Sequence, residues 1–178
     1  AGTTVTPQII EKLKRYNLVC VKIMEDIDFA TTHYEKIRFD SNFKAFERAY
    51  PIFLAEYKLA MKQLLVMGRK PADIFLLNIY QELYYYITSG SVLLDYLYNL
   101  MPSEDELTYT QCLNAALLAG TFADWLSMSE EEKNTLILCG FYYDIGKLQL
   151  PYELLWKPGK LTEEEFKIIK THPVVGYT

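Results

Sequence analysis

The sequence predicts an all-α helical bundle, and three features of the pattern support that prediction. Apolar residues recur at spacings of three and four along the 178 residues, whereas no stretch alternates with a period of two. A Ser or Thr answered three positions later by Glu forms a capping box, and such pairs mark helix starts at Ser103, Ser129 and Thr162. The chain is 51% apolar, which is enough to bury a core at this length.

The N-terminal part of the chain is predicted to form two long helices. Between Pro7 and Asp28 the apolar residues fall on one stripe of a helix. A second helix is predicted over 41–67, and Pro51 is expected to kink it or to split it into two. Gly68 then offers a C-terminal stop, because glycine adopts the left-handed conformation at little cost.

The remaining helices are predicted from bulky runs and from the capping boxes. Bulky residues on every side of 72–88 predict a helix buried between others, which Ser89-Gly90 ends, and a short helix over 92–101 follows. The capping boxes predict helices over about 104–126, 130–143 and 163–171. A weak boundary separates an N-terminal helical region of unknown role, residues 1–102, from residues 103–178, unless the two form one continuous helical unit.

Composition excludes several classes of protein. A net charge of −5 argues against sequence-independent binding of nucleic acid, because such binding needs positive charge at the phosphates. No apolar run approaches the roughly 20 residues that span a bilayer, and the N-terminus lacks a secretion signal, so we expect no membrane insertion and a cytoplasmic location. Cys20, Cys112 and Cys139 are expected to be buried, reduced thiols. The only histidines, His33 and His172, are too few for a metal site made mainly of imidazole.

The excess of tyrosine allows two interpretations. The first is that these rings pack into the core with their hydroxyls at its edge. The second is an exposed aromatic surface that stacks a guanine or binds a partner helix. Both apply to the same group of residues: Tyr84, Tyr85, Tyr86, Tyr96 and Tyr98.

The residues that could form a catalytic or metal-binding site lie near the C-terminal end. Asp144 is predicted at a helix end, Lys147 follows a glycine turn, and His172 comes 28 residues after Asp144. Asp144 and His172 could share a metal, with Lys147 near an anionic ligand. Alternatively, Asp144 caps a helix or pairs with Lys147, and His172 caps a carbonyl or contacts Asp144. His33 lies far from this run and is expected to be a surface histidine.

This run resembles a known family. Asp144-Ile145-Gly146-Lys147, then Lys157-Pro158-Gly159-Lys160-Leu161-Thr162, and finally His172-Pro173 with Gly176 are similar to motifs of the HD-GYP family. That family is the branch of the HD superfamily of metal-dependent phosphohydrolases that hydrolyses cyclic di-GMP. The resemblance extends upstream over 107–116, which matches the family's helix with its first metal-ligand histidine.

The chain departs from the family pattern at two metal-ligand positions. Gln111 stands where the family has its upstream histidine, and Tyr143 stands where it has the histidine of its His-Asp pair. Asp144 and His172 keep the ligand residue types, and Lys147 matches the lysine that the resemblance implies at a substrate phosphate. The family's later His-His-Glu and Gly-Tyr-Pro segments are expected beyond residue 178, so the match covers an incomplete domain.

These substitutions predict the loss of hydrolysis. A two-metal phosphodiesterase holds two ions about 3.5–4 Å apart, which one carboxylate and one imidazole cannot do. A tyrosine phenol, with a pKa of about 10, is a poor ligand near neutral pH. We therefore expect no cofactor, or at most a divalent metal such as Fe or Mn held weakly by Asp144 and His172. Tyr142 and Tyr143 are expected to fill the former metal cavity, with a hydroxyl on Asp144.

Three hypotheses about function follow from the sequence. The preferred one is a catalytically degenerate HD-GYP-like protein that acts as a regulatory or interaction module in bacterial cyclic di-GMP signalling, with cyclic di-GMP or a signalling protein as its partner. The second is an active metal-dependent phosphodiesterase with an altered site. The third is a structural or dimerising helical module, and apolar surface on an incomplete HD domain predicts self-association in any case.

Overall fold

The computed structural model of this chain describes residues 33–100 and 106–177, which fold into helices with no β-strand in those two ranges. The first helices are α1 (His33–Ile37), α2 (Ser41–Met67), α3 (Asp73–Tyr84) and α4 (Gly90–Asn99), followed by α5 (Leu107–Trp125) and α6 (Glu130–Tyr142). A 3₁₀ helix spans Ile145–Gln149, and three short helices follow it: α7 (Tyr152–Leu155), α8 (Glu163–Ile169) and α9 (His172–Tyr177). The predicted all-α class is confirmed.

Three sequence predictions fall outside the described ranges. They are the helix between Pro7 and Asp28, the capping box at Ser103, and the environment of Cys20. The boundary near residue 102 also stays a prediction. A single cluster of buried residues nevertheless contains side chains from both sides of it, from Phe43 on α2 to Ile145 after α6.

Helix α2 has the predicted bounds, but Pro51 does not split it. Asp40 caps its N-terminus by accepting a hydrogen bond from the Phe43 N–H at 2.8 Å. Gly68, with φ 63°, ends the helix in the left-handed conformation. Pro51 removes one backbone donor, yet buried side chains on both sides of it, Tyr50 and Leu54, anchor the helix to the core. Of the two predicted effects of Pro51, a kink or a split, the split into two helices does not occur.

The tyrosine-rich segment is only partly buried. Helix α3 ends at Tyr84, earlier than predicted, and Ser89 caps α4 by accepting from the Val92 N–H at 3.3 Å. Tyr96 is buried, whereas Tyr85 is 84% and Tyr98 69% exposed. The prediction that all five tyrosines pack into the core is wrong for these two, because they lie outside the inward-facing stripes of their segments.

Helices α5 and α6 form the centre of the fold and set the position of the site. Their backbones come so close that a Cβ on Gly140 would lie 2.6 Å from the Ala116 nitrogen and Cα. Leu113, Leu117, Ile137 and Phe141 are fully buried around this contact. Because α6 ends at Tyr142, two residues before Asp144, this packing fixes where Asp144 lies.

Both described capping boxes form as predicted. The Glu132 N–H donates to the Ser129 hydroxyl at 3.3 Å, and the Ser129 N–H donates back to the Glu132 carboxylate at 2.9 Å. Thr162 and Glu165 make the same pair of bonds at 3.2 and 2.7 Å. Each box satisfies two backbone donors that would otherwise lack a partner at a helix start.

The thiols and the membrane prediction are tested only in part. Cys112 is buried as expected, but Cys139 is exposed, so the prediction for Cys139 is wrong. Within 33–100 and 106–177, no helix combines the length and the apolar character needed to cross a membrane.

Candidate functional site

Asp144 lies at the junction between α6 and the 3₁₀ helix and is 5% exposed. Its carbonyl accepts a hydrogen bond from the Lys147 N–H at 2.9 Å, which begins the 3₁₀ turn. Ile145 and Gly146 are buried beside it. The carboxylate is thus held at the edge of the core by the end of a well-packed helix.

The Asp144 carboxylate contacts both of the nearby basic side chains that the sequence singled out. The Lys147 ammonium nitrogen lies 2.6 Å from Oδ2 of Asp144, and Nε2 of His172 lies 3.1 Å from Oδ1. Nδ1 of His172 lies 2.7 Å from the Ile169 carbonyl oxygen. The structure therefore brings Asp144, Lys147 and His172 together, in the local pairing that was the alternative to a shared metal.

Two glycines allow α9 to approach the 3₁₀ helix backbone to backbone. A Cβ on Gly146 would lie 1.9 Å from the His172 carbonyl oxygen and 2.7 Å from the Gly176 nitrogen. A Cβ on Gly176 would lie 3.0 Å from the Gly146 nitrogen. Glycine is required at position 146 because any side chain there would push His172 away from Asp144. Sequence reasoning missed this contact, although both glycines lie in the family-like motif.

Gln111 lies on α5, half-buried, one residue before a thiol that touches the site. Burial raises the pKa of Cys112 to about 11, and the hydrogen bond from the Asp144 N–H to the sulfur acts against this. The α5 residue that follows the family's histidine position therefore lies beside the Asp144 backbone.

Tyr143 contacts Asp144 but does not fill a buried cavity. Partial burial, then the charge of Asp144 and a hydrogen bond to it, raise the pKa of Tyr143 to about 12. The residue is 51% exposed, so it covers one side of the carboxylate from the surface. The expected interaction between Tyr143 and Asp144 is present, whereas a cavity filled by this ring is not.

Tyr142 occupies a different environment from the one predicted. Its ring centre lies 6.0 Å from the ammonium of Lys70, a residue that precedes α3 in the chain. Burial, followed by the charge of Asp73, raises its pKa to about 12. The prediction that Tyr142 fills the former metal cavity is wrong, because consecutive helix residues point about 100° apart and only one of the two tyrosines can face Asp144.

Helix α2 supports the site from behind, which sequence reasoning did not foresee. The fully buried Tyr57 hydroxyl donates a hydrogen bond to the Phe141 carbonyl, three residues before Asp144. Burial raises the pKa of Tyr57, with the adjacent Cys112 as the next cause. A tyrosine within the apolar stripe of α2 was the available signal for this contact.

The Lys-Pro-Gly-Lys-Leu-Thr motif forms a structured turn in which its first lysine is paired. The Lys157 ammonium donates to both carboxylate oxygens of Glu165, at 2.8 and 2.7 Å. Gly159 has φ 98°, a left-handed conformation that favours glycine. This motif therefore stabilises the start of α8.

His33 lies outside the site. It is the first residue of α1, and its exposed ring pairs with Asp95 at 2.8 Å. The expectation of a surface histidine is confirmed.

These donors do not fit a two-metal centre. Among the residues that the structure describes, no three His, Cys, Asp or Glu side chains converge closely enough to hold a metal ion. Both Asp144 oxygens already contact basic side chains, and the Lys147 ammonium repels a divalent cation from that carboxylate. Gln111 and Tyr143 add only a neutral amide and a phenol with a raised pKa.

The family model and the relatives that match this chain agree with one another. Residues 95–178 match the family model of the HD domain. A cyclic di-GMP phosphodiesterase response regulator of Xanthomonas campestris is 43% identical over 60 residues, which are 34% of this chain and 16% of that protein. A cyclic di-GMP phosphodiesterase of Thermotoga maritima is 28% identical over 130 residues, 73% of this chain and 33% of that protein.

A third relative is named for a different cyclic dinucleotide. It is a 3′3′-cGAMP-specific phosphodiesterase of Vibrio cholerae, 36% identical over 74 residues, or 42% of this chain and 17% of that protein. The chain thus spans no more than about a third of these relatives. No solved structure gives a significant match. The matching model identifies residues 95–178 as HD-domain sequence, and the named relatives, together with the Asp144–His172 motif, support an HD-GYP family assignment.

Proposed function

We propose that this chain is a catalytically degenerate HD-GYP protein that serves as a regulatory or interaction module in bacterial cyclic di-GMP signalling. Its relatives are named as phosphodiesterases of cyclic di-GMP, which supports the signalling context. Gln111 and Tyr143 in place of ligand histidines support the loss of hydrolysis. The module is proposed to work in the cytoplasm, with no resident metal.

One observation carries the proposal. The buried Asp144 carboxylate, which in a two-metal site would bind cations, has Lys147 at 2.6 Å and His172 at 3.1 Å. An ammonium in contact with this carboxylate neutralises the charge that would attract a metal ion. The site residues proposed as vestigial are therefore Gln111, Tyr143, Asp144, Lys147 and His172.

The orientation of His172 favours a second candidate, an active metal-dependent phosphodiesterase. With Nδ1 donating to the Ile169 carbonyl, as its distance of 2.7 Å allows, a neutral imidazole presents a lone pair at Nε2. That arrangement is common for metal-binding histidines. In this candidate a divalent metal such as Mn or Fe would bind between His172 and Asp144.

A hydrolysis assay separates the two candidates. The chain is incubated with cyclic di-GMP, and in parallel with 3′3′-cGAMP, in the presence of Mn²⁺ or Fe²⁺, with the Thermotoga maritima relative as the positive control. The proposal predicts no linear product from either nucleotide. Metal-dependent turnover that Asp144→Ala abolishes would establish the second candidate instead.

A calorimetric titration then separates a nucleotide-binding regulator from a purely structural module. Binding of cyclic di-GMP without turnover supports a regulator that still recognises the nucleotide. Without binding, the partner is a protein, and exposed aromatic residues such as Tyr85, 84% exposed, are the surface available for it.

Self-association is part of the proposal. Apolar residues on α8 and α9 remain exposed, including Phe166, Val174 and Tyr177 at 48%, 68% and 92%. Light scattering should give a mass that rises with protein concentration. A strictly monomeric mass would remove this part of the proposal, and loss of the rise in Tyr85→Asp would instead locate the contact at the tyrosine-rich segment.

A further inference from the structure

We infer that the Lys147 ammonium takes the place of a metal cation at Asp144, and that the ion pair, with His172, fastens α9 to the 3₁₀ helix. These three residues are called the clasp below. The inference rests on the proposed function, because it requires that no metal occupies the Asp144 carboxylate. It gives the residues of the vestigial site a positioning role in the metal-free protein.

The first step is the need for a positive charge at Asp144. Its side chain is only 7% exposed, and a buried carboxylate without a partner is strongly destabilising. In an HD-type metal site the cation would supply that partner. Here the Lys147 nitrogen lies 2.6 Å away, within the range of a charge-assisted hydrogen bond.

The second step is that the 3₁₀ helix itself builds this pair. Residues three apart are nearly aligned along a 3₁₀ helix, and the Lys147 N–H also donates to the Asp144 carbonyl at 2.9 Å. The Lys147 side chain is 25% exposed, so its stem lies partly along the protein while its charge reaches the carboxylate. The pair therefore depends on local backbone structure rather than on a distant segment.

The third step connects the pair to α9. His172 is the first residue of α9, and its Nε2 lies 3.1 Å from the Asp144 oxygen that Lys147 leaves free. The carbonyl of the same residue lies against Gly146, where a Cβ would be 1.9 Å away. No described residue of α9 is buried, so polar contacts and close backbone packing hold this helix.

A double-mutant cycle in the presence of a chelator tests the clasp. The variants are Lys147→Met, Asp144→Asn and the two combined, compared by chemical denaturation. We expect Lys147→Met to reduce the folding equilibrium constant at least about tenfold, because it removes the ammonium partner of a buried carboxylate. The combined variant should recover most of that loss, because it removes both charges.

The chain offers a matched control pair. Lys157 and Glu165 lie 2.7 Å apart, and both side chains are about a third exposed. Lys157→Met should therefore change the folding equilibrium constant by less than about fivefold. Equal losses for Lys147→Met and Lys157→Met, or strictly additive losses in the cycle, would overturn the inference.

Wild-type protein provides a second test that does not depend on whether a variant folds. Acetylation of lysines at neutral pH, followed by mass spectrometry, should modify Lys147 several-fold more slowly than the exposed Lys160. Lys147→Arg, which keeps the charge, should leave the stability near that of the wild type. Equal modification rates at Lys147 and Lys160 would contradict a stable ion pair.

The clasp and the proposed function fail in different experiments. The chain could hydrolyse cyclic di-GMP while Asp144 and Lys147 still show coupling in the double-mutant cycle with chelator. That result would overturn the degenerate function and leave the clasp as a property of the metal-free state. No hydrolysis, with no coupling between Asp144 and Lys147, would leave the proposed function intact and remove the clasp.

Discussion

The helices α2–α6 and the C-terminal helices α8 and α9 are held in place by different interactions. Helices α2–α6 each bury several side chains in one core, whereas neither α8 nor α9 contains a buried residue. Asp144 follows the well-buried α6, and His172 begins the poorly buried α9. The two halves of the family motif therefore come from a strongly held region and a weakly held one, and their contact depends on the clasp and on Gly146.

Removal of a ring should have its largest effect in the core. Phe141 is fully buried, and Phe141→Ala should destabilise the fold by about 3–5 kcal/mol. Phe166 on α8 is 48% exposed, so Phe166→Ala should cost about 0.5 kcal/mol or less. Urea denaturation of both variants measures the difference, and similar losses would remove the contrast between the two regions.

The next effect should come from the backbone contact of the 3₁₀ helix with α9. Gly146→Ala places a methyl group against the His172 carbonyl and should destabilise this contact by about 1–3 kcal/mol. Hydrogen exchange should accelerate in residues 172–177, while exchange in α5 stays unchanged. Gly159→Ala is the control, because φ 98° strains the loop but nothing lies within 4 Å of its added Cβ. Faster exchange in α9 for Gly159→Ala as well would show that the effect is not specific to the Gly146 contact.

A smaller effect is expected at the two capping boxes. Ser129→Ala and Thr162→Ala each remove a cap worth about 1 kcal/mol. Because α6 packs in the core, Ser129→Ala should lower the stability of the whole fold. Thr162→Ala should mainly increase hydrogen exchange within α8. An equal loss of global stability for both would mean that α8 unfolds together with the core.

The smallest effect should appear in the pH dependence. The pKa of Glu132 lies below its ordinary value of 4.5 because of hydrogen bonds from Ser129. A lowered pKa in the folded state stabilises the protein above about pH 4.5, and this contribution is lost as the pH falls through the folded pKa. Glu132→Gln should flatten the stability profile below pH 4.5 and leave its shape at neutral pH unchanged.

For α8 the corresponding residue is Glu165, whose pKa is lowered first by the hydrogen bond from Lys157 and then by the Thr162 N–H. Glu165→Gln should therefore change the acid dependence of hydrogen exchange in α8 alone. A change in global acid stability as large as that of Glu132→Gln would contradict the weak coupling between α8 and the core.

Much of the fold could be predicted from local sequence signals. The bounds of α2, its stop at Gly68, and the capping boxes at Ser129 and Thr162 depend on residues close together in the chain, so periodicity and cap chemistry are sufficient. The family-like motif likewise identified Asp144, Lys147 and His172, which the structure brings together.

The remaining features depend on contacts between distant segments. The close packing of Gly146 on His172 and Gly176 is set by how two helices meet, which no local pattern encodes. The same holds for the Tyr57 hydroxyl on the Phe141 carbonyl. The uninterrupted helix at Pro51 shows tertiary packing prevailing over the local preference of proline.

The metal content of the purified chain is the most direct test of whether Asp144 and His172 hold a metal ion. The protein is prepared without chelator, loaded with Mn²⁺ or Fe²⁺, desalted and analysed by elemental mass spectrometry, with Asp144→Ala as the blank. We expect a metal content well below one ion per chain and equal to that of Asp144→Ala. Two retained ions per chain, lost in Asp144→Ala, would contradict it.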